Sequence, residues 1–394
     1  MPRSVIVAAK RSPAGRFLGT LSPLTAPEIG AAVARDLLES VSCPPDAVDW
    51  AVIGQVLQAG VGQNPARQVA LKAGLPPTVT AVTVNQVCGS GLRAAMDADN
   101  NIRLGEATVV LAGGMESMSN APHYVHGLRS GATKFGDATM PDGMLHDGLT
   151  CAFEGWAMGC AADYTAEKYQ VSREQQDAFS LRSHQRAAAA RDAGHFKRTV
   201  TPIEVSVKKK TVVFREDETI REDASIEALA KLKPAFAKGG TVTAGNASQL
   251  ADGAAMLLLA SPEAAARRSW TPLATIVAHT TFGVEPKELF TAPIGAVRRV
   301  LDQAGLKTSD IDLFEINEAF AAQMVACVRG LEIDEDRVNV FGGGIALGHP
   351  IGASGARLLV TLINAMRERD AKRGVAVVCL GGGNAVAMVI EREP

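Results

Sequence analysis

Short runs of consecutive apolar residues, each closed by a turn-forming residue, recur along this chain, and between them lie stretches whose apolar positions fall at helical spacing. VIVAA at 5–9 reads as a first buried strand. VTAVTV at 79–84 is β-branched and uninterrupted and reads as another buried strand; GSG at 89–91 then turns the chain, and a helix is expected from about Leu92. Farther on, a Ser172/Gln175 capping box, the run 174–192 and Gly194 as the stop mark a long helix.

The same patterns occur twice. VDWAVI at 48–53 resembles IDLFEI at 311–316; GSGLR at 89–93 resembles ASGAR at 353–357; ATVVLAGG at 107–114 resembles VAVVCLGG at 375–382; and VIVA at 5–8 corresponds to TIVA at 275–278. Matches kept in one order imply two copies of one strand-and-helix unit, hence two fused α/β halves, each expected to hold a mostly parallel sheet. A closing strand NAVAMVI at 384–390 has its counterpart, DGAAMLLL at 252–259, far beyond Gly114. The expected division is therefore 1–119 with 251–271 as the first half, 120–250 as an inserted loop domain, and 272–394 as the second half.

Composition narrows the function. The chain has 394 residues, 47% hydrophobic and 21% charged, with a net charge of −2, which offers no surface for nucleic acid or anionic membrane. No run approaches the roughly 20 apolar residues a membrane span needs, and the N-terminal apolar run is too short for a signal peptide. Cysteines at 43, 88, 151, 160, 327 and 379 form no CxxC pair and no metal spacing, so a reduced, cytoplasmic, metal-free protein is expected. The insertion carries a basic scatter, Lys208 to Lys210, Arg215, Arg221, Lys231, Lys233 and Lys238, which reads as a solvated face or as a partner for a nucleotide's phosphates.

Candidate chemistry lies where ligands bind doubled α/β units, beyond the carboxyl ends of the strands. Cys88 sits at a strand-to-helix turn, where the helix dipole favours thiolate and unpaired N–H groups can hold an oxyanion. Asn317 follows one strand, His349 lies in FGGGIALGHPIG, and Cys379 closes another. A histidine of near-neutral pKa can take the Cys88 proton, and a second cysteine can move a carbon-bound proton. Plainer readings are that Asn317 caps a helix over 318–329, that His349 is a satisfied core residue, and that Cys88 and Cys379 only fill space. P-loop, dinucleotide and serine-hydrolase fingerprints are absent.

NQVCGSG, LAGGMESMSNAP, DGLTCAF, KLKPAF, TVTAGNAS, EINEAFAAQ, GGGIALGHPIGASGAR and CLGGGN together resemble the thiolases, over nearly the whole chain. The resemblance implies a five-layered αβαβα fold of two similar halves with a loop domain. It also implies ping-pong chemistry interconverting two acetyl-CoA with acetoacetyl-CoA and CoA. Cys88 would be acylated, His349 would activate it and with Asn317 and a water hold an oxyanion, Cys379 would be the acid/base, and the N–H groups of Cys88 and Gly381 would form a second oxyanion hole. Leu149, Met158, Phe236, Ala244, Ser248 and Phe320 would line the coenzyme A site, coenzyme A being a substrate and no cofactor being needed. Residues 123–145 resemble a segment that tethers dimers, so a homotetramer is expected.

Some positions depart from the acetyl-specific pattern. Ala157-Met158-Gly159 stands where His-Met-Gly is usual, Leu289-Phe290-Thr291-Ala292 replaces a glycine-richer loop, Asn384-Ala385 replaces Met-Gly, and Gln86 replaces a commonly basic residue. These departures and NASQLADGAA keep a broad-chain-length 3-ketoacyl-CoA thiolase of β-oxidation in view. Cys379 in place of a second histidine argues against a ketoacyl synthase, and the four intact polar positions argue against a catalytically silent lipid-binding relative.

Overall fold

Uninterrupted apolar runs decide the architecture, because the central strands bury both of their faces. The computed structural model describes residues 3–132, 134–207 and 210–392, so Lys208 and Lys209 of the basic scatter lie outside the described residues. Its strands are β1 (Val5–Arg11), β2 (Gly15–Arg16), β3 (Trp50–Gly54), β4 (Thr80–Val84), β5 (Val109–Ser117), β6 (Ile203–Val207), β7 (Lys210–Phe214), β8 (Ala251–Ala260), β9 (Ala274–Gly283), β10 (Leu313–Ile316), β11 (Arg373–Leu380) and β12 (Asn384–Glu391). Helices are α1 (Ala26–Ser40), α2 (Pro65–Lys72), α3 (Ser90–Arg103), α4 (Met158–Lys168), α5 (Arg173–Asp192), α6 (Ile226–Ala230), α7 (Pro262–Arg267), α8 (Ala292–Ala304), α9 (Ala321–Leu331), α10 (Gly344–Leu347) and α11 (Ser354–Glu368).

The strands run in the order β10-β11-β12-β9-β1-β8-β5-β3-β4, with β2 on β8. Repeat partners sit symmetrically about the β9–β1 join, where Val5 pairs with Thr275 and Ile6 with Ala274. Outward from it, β8 matches β12, β5 matches β11 and β3 matches β10.

Inner faces of both halves, including Val52, Val110 and Leu257 on one side and Ala376, Val378 and Met388 on the other, close on α3 and α11. The alternate residues of the first half, such as Ile53, Val109 and Leu111, pack under α1 and α2. Those of the second half, such as Phe314, Val375 and Val377, pack under α8 and α9. Five layers, αβαβα, follow from this.

Contact between the central helices is what the repeated SG pair serves. A Cβ on Gly91 would stand 2.8 Å from the Ala356 nitrogen, and one on Gly355 would stand 2.4 Å from the Leu92 nitrogen. Backbone meets backbone there, and no side chain fits.

Two expectations from the sequence fail. The halves are mixed rather than mostly parallel: β3–β4, β3–β5 and β10–β11 are parallel, but β5–β8, β1–β8, β11–β12 and β12–β9 are antiparallel. For β11 and β12 the cause is the short Gly381–Gly383 connection, since a tight turn can only return a strand antiparallel. Moreover β4 is the sheet's edge and only partly buried, with Val82 42% exposed. Its β-branched run signals a strand but not burial on both faces. The helix after it begins at Ser90, slightly before Leu92.

Residues 118–250 run between β5 and β8, in the place that three glycines occupy between β11 and β12. Within them α5 carries the expected capping box: Ser172 Oγ accepts from the Gln175 N–H, and Gln175 Oε1 accepts from the Ser172 N–H. No helix of the described residues is long and apolar enough to cross a membrane.

Candidate active site

The turn that presents Cys88 is held in a conformation its sequence disfavours. Val87 has φ 47°, a left-handed backbone that β-branched side chains enter only under strain. Three hydrogen bonds hold it: Asn85 Oδ1 accepts from the Val87 N–H at 3.0 Å, and Ser90 Oγ accepts from the Gln86 N–H at 2.9 Å while donating to the Val87 carbonyl at 2.6 Å. Cys88 therefore projects from a fixed elbow ahead of α3.

Burial pushes the Cys88 thiol up to about 12, its own backbone N–H draws it down, and the nearby Glu116 pushes it further up. Burial thus opposes the thiolate that the helix dipole favours. Desolvation of a whole charge outweighs a fractional dipole charge.

His349 sits on the loop before α11, its backbone N–H bonded to the Gln249 carbonyl at 2.9 Å. Its Nδ1 lies 2.6 Å from Ser354 Oγ, and that hydroxyl donates onward to the Pro350 carbonyl at 2.9 Å. With its one proton committed, the hydroxyl can only accept from Nδ1–H, which assigns the lone pair to Nε2. Asn317 Nδ2 faces that Nε2 at 3.4 Å. Burial lowers His349 to about 3, with the Arg357 charge adding to the effect, so the ring is a neutral acceptor rather than the near-neutral base expected.

Replacing Ser354 by alanine removes the hydroxyl that fixes this tautomer and leaves Nδ1–H buried without a partner. A loss of roughly 10- to 100-fold in kcat/KM is expected, matching the ~1–3 kcal/mol cost of an unpaired buried donor. Steady-state kinetics of Ser354→Ala beside Ser354→Thr check it; unchanged kcat/KM in the alanine variant would refute the assignment.

Asn317 is fully buried and stands behind His349 rather than on the cavity wall, its Oδ1 without a partner. It does not cap the following helix, because α9 starts at Ala321 with Phe320 in the cap position.

Cys379 is the penultimate residue of β11, 2% exposed, in an apolar cluster with Leu289, Phe290 and Phe320. Burial lifts its thiol well above the ordinary value, and charge on Cys88 or Cys327 lifts it further. Gly381 opens the turn to β12. There Gly383 has φ 80°, and a Cβ on it would meet the Val284 carbonyl at 2.4 Å, so glycine alone fits.

Cys88, His349, Cys379 and Gly381 all line one cavity of about 500 Å³. Leu149, Met158, Phe236, Ala244, Ser248 and Phe320 line it too. Aromatic edges pack its wall, Phe236 against Phe320 at 6.1 Å and Phe320 against Phe290 at 5.3 Å between ring centres.

Arg16 and Phe17, both exposed where the cavity opens, are wall residues that the sequence did not single out; a lone Arg-Phe pair after a first strand carries no pattern. Of the insertion's basic residues that the structure describes, Arg221 reaches this cavity.

Comparison with known proteins agrees from end to end. Residues 4–263 match the thiolase N-terminal domain and residues 270–392 the thiolase C-terminal domain. An acetyl-CoA acetyltransferase of Pseudomonas aeruginosa is 51% identical over 390 residues, covering 99% of both chains, and one of Chromobacterium violaceum is 50% identical over 388 residues, covering 98% of this chain and 99% of the relative. The crystal structure of the Bacillus anthracis acetyl-CoA acetyltransferase superposes with a TM-score of 0.97 at 41% identity, covering 100% of this chain and 99% of that one. Matched in this way across both of its halves, the chain belongs to the thiolase family.

Proposed function

We propose that this protein is an acetyl-CoA C-acetyltransferase that interconverts two acetyl-CoA with acetoacetyl-CoA and CoA through an acetyl-Cys88 intermediate. The observation that carries the reading is the meeting of two cysteine thiols and a neutral imidazole in one largely apolar cavity. Such a cavity suits the pantetheine arm of coenzyme A, and Arg16 and Arg221 at its opening suit the phosphates. Coenzyme A is then a substrate, and the chemistry requires no cofactor.

In the first half-reaction His349 Nε2 takes the Cys88 proton as sulfur attacks the thioester carbonyl. The N–H groups of Cys88 and Gly381 hold the oxyanion, and collapse expels CoA thiolate, which takes the Cys379 proton while His349 keeps that of Cys88. In the second, Cys379, left as thiolate by giving its proton to CoA, removes the α-proton of another acetyl-CoA, whose enolate oxygen accepts from the protonated His349, with Asn317 behind the ring. The carbanion attacks acetyl-Cys88, the Cys88–acetyl bond breaks, and the sulfur recovers its proton from His349, while Cys379 keeps the α-proton. A neutral His349 suits both halves, because it can accept one proton and later donate one.

Leu289 and Phe290, each 2% exposed on the cavity wall, bring bulk to the region of Cys379, where the acyl group would lie. Short acyl groups are favoured. Thiolysis of acetoacetyl-CoA should exceed that of a long 3-ketoacyl-CoA by roughly tenfold or more in kcat/KM, the scale on which a pocket discriminates by chain size. Equal or faster thiolysis of long chains would instead make this a broad β-oxidation thiolase, despite Phe290.

Assembly as a cytoplasmic homotetramer fits the same reading. Residues 123–145 expose Leu128, Phe135 and Met140, the apolar surface a second copy would cover.

A further inference from the structure

Glu116, near the end of β5, is a fully buried carboxylate that the mechanism above does not use. Its Oε2 accepts from the Val56 N–H at 3.0 Å and from the Gly352 N–H at 3.0 Å, and its Oε1 accepts from the Leu57 N–H at 3.2 Å. Val56 and Leu57 follow β3 in the first half of the molecule, whereas Gly352 lies three residues after His349 in the second. One side chain thus joins the loops that carry the two halves of the site. Beside it, Val56, Leu57 and Ile351 share an apolar cluster against which Cys88 packs.

The chemistry of this clamp is specific. A carboxylate offers acceptors on both oxygens, matching three converging N–H donors; an amide of the same shape would turn an NH2 toward at least one of them. The charged groups that act on Glu116 are few: Asp252 on the neighbouring β8 raises it, the three N–H donors lower it, and burial, the largest influence, brings it to about 7. Glu116 in turn acts on the Cys88 thiol.

We propose that Glu116 is a positioning residue, whose carboxylate ties the Val56–Leu57 and Gly352 backbones together beneath Cys88 and sets a negative charge against the nucleophile. The clamp keeps Cys88 and the His349 loop in register, and above pH 7 the charge adds to burial in keeping the sulfur protonated until a bound thioester draws the proton to His349. It rests on Cys88 being the acylated residue.

The test compares turnover with alkylation of Cys88 by iodoacetamide, read by peptide mass, for the full-length protein and two variants between pH 6 and 9. Glu116→Gln keeps the shape but removes the charge and one acceptor: kcat should fall tenfold or more while Cys88 alkylates several-fold faster above pH 7. Glu116→Asp keeps the charge but shortens the reach: kcat should fall with no gain in alkylation. Opposite movement of the two rates is what a merely structural role would not produce. Wild-type kcat in Glu116→Gln, or reduced kcat with unchanged alkylation, would overturn the proposal, and if the glutamine variant does not fold, faster alkylation in Glu116→Asp would do so. Failure of the wild-type protein to take up acetyl from acetyl-CoA would count against the proposed function, and the alkylation comparison would still be readable.

Discussion

Cys88→Ala is expected to take up no acetyl group on mixing with acetyl-CoA and to lose turnover by about 10⁴-fold or more, the scale seen when an essential nucleophile is removed. Such a loss follows from the elbow, because no neighbouring side chain can substitute. Cys379 is held in β11, and Cys327 lies in α9 with its thiol pushed up to about 12 by burial. Intact-mass measurement after mixing, with peptide mapping, checks the result. Retained acetylation at another cysteine would mean that the nucleophile lies elsewhere.

The same geometry bears on pH. His349 is neutral down to about pH 3, so the acid limb of kcat/KM is not expected to report its titration at 6–7. In stability the sign is definite. An unfolded histidine binds a proton below about 6.5, and the folded one does not until about 3, so His349 favours the folded state fully above pH 6.5 and progressively less as pH falls toward 3. His184, lowered to about 4 by burial and by Arg221, works in the same direction.

The repeat made much of the fold legible. Matching VAVVCLGG with ATVVLAGG, and NAVAMVI with DGAAMLLL, locates β11, β5, β12 and β8, and with them the segment looped out between β5 and β8. Strand direction was not legible in the same way, because periodicity marks a strand without saying which neighbour it meets. The Gly381–Gly383 connection held that information, and GGG reads equally as a ligand loop.

At the site, residue identity was legible and electrostatic state was not. Cys88, His349, Cys379 and Gly381 stand at strand ends or in glycine loops, which sequence marks, and all four face one cavity. Their protonation depends on burial by residues distant in sequence. A turn motif suggests a thiolate, but desolvation in the cavity pushes the other way. Glu116 was invisible for the same reason: within GGMES it reads as one acid among many, and only the fold brings Val56, Leu57 and Gly352 to it. Even the SG pairs carried a second meaning, since Gly91 and Gly355 are required by the approach of α3 and α11.

Cys379→Ala separates the two halves of the proposed reaction. It should still acetylate Cys88, because bond formation needs Cys88, His349 and the N–H groups, and CoA can depart as the thiolate without the Cys379 proton. Carbon–carbon bond formation and cleavage should fall by about 10²- to 10⁴-fold, the contribution of a positioned acid/base. Among the described residues lining the cavity, the other titratable side chains are Arg16 and Arg221, which cannot accept a proton at neutral pH, together with Cys88 and His349, which are already committed. The timing follows from the electrostatics. A charge on Cys88 raises Cys379, so both sulfurs are not thiolates at once; acetylation of Cys88 removes that competition and lets Cys379 take up the negative charge. Burial then works in favour of the reaction, because a thiol that is hard to ionise gives a thiolate that is a strong base. Exchange of the α-protons of acetyl-CoA in deuterated water should accordingly be seen with the wild-type protein and be lost in Cys379→Ala. Condensation at the wild-type rate in that variant would transfer the acid/base role to another group.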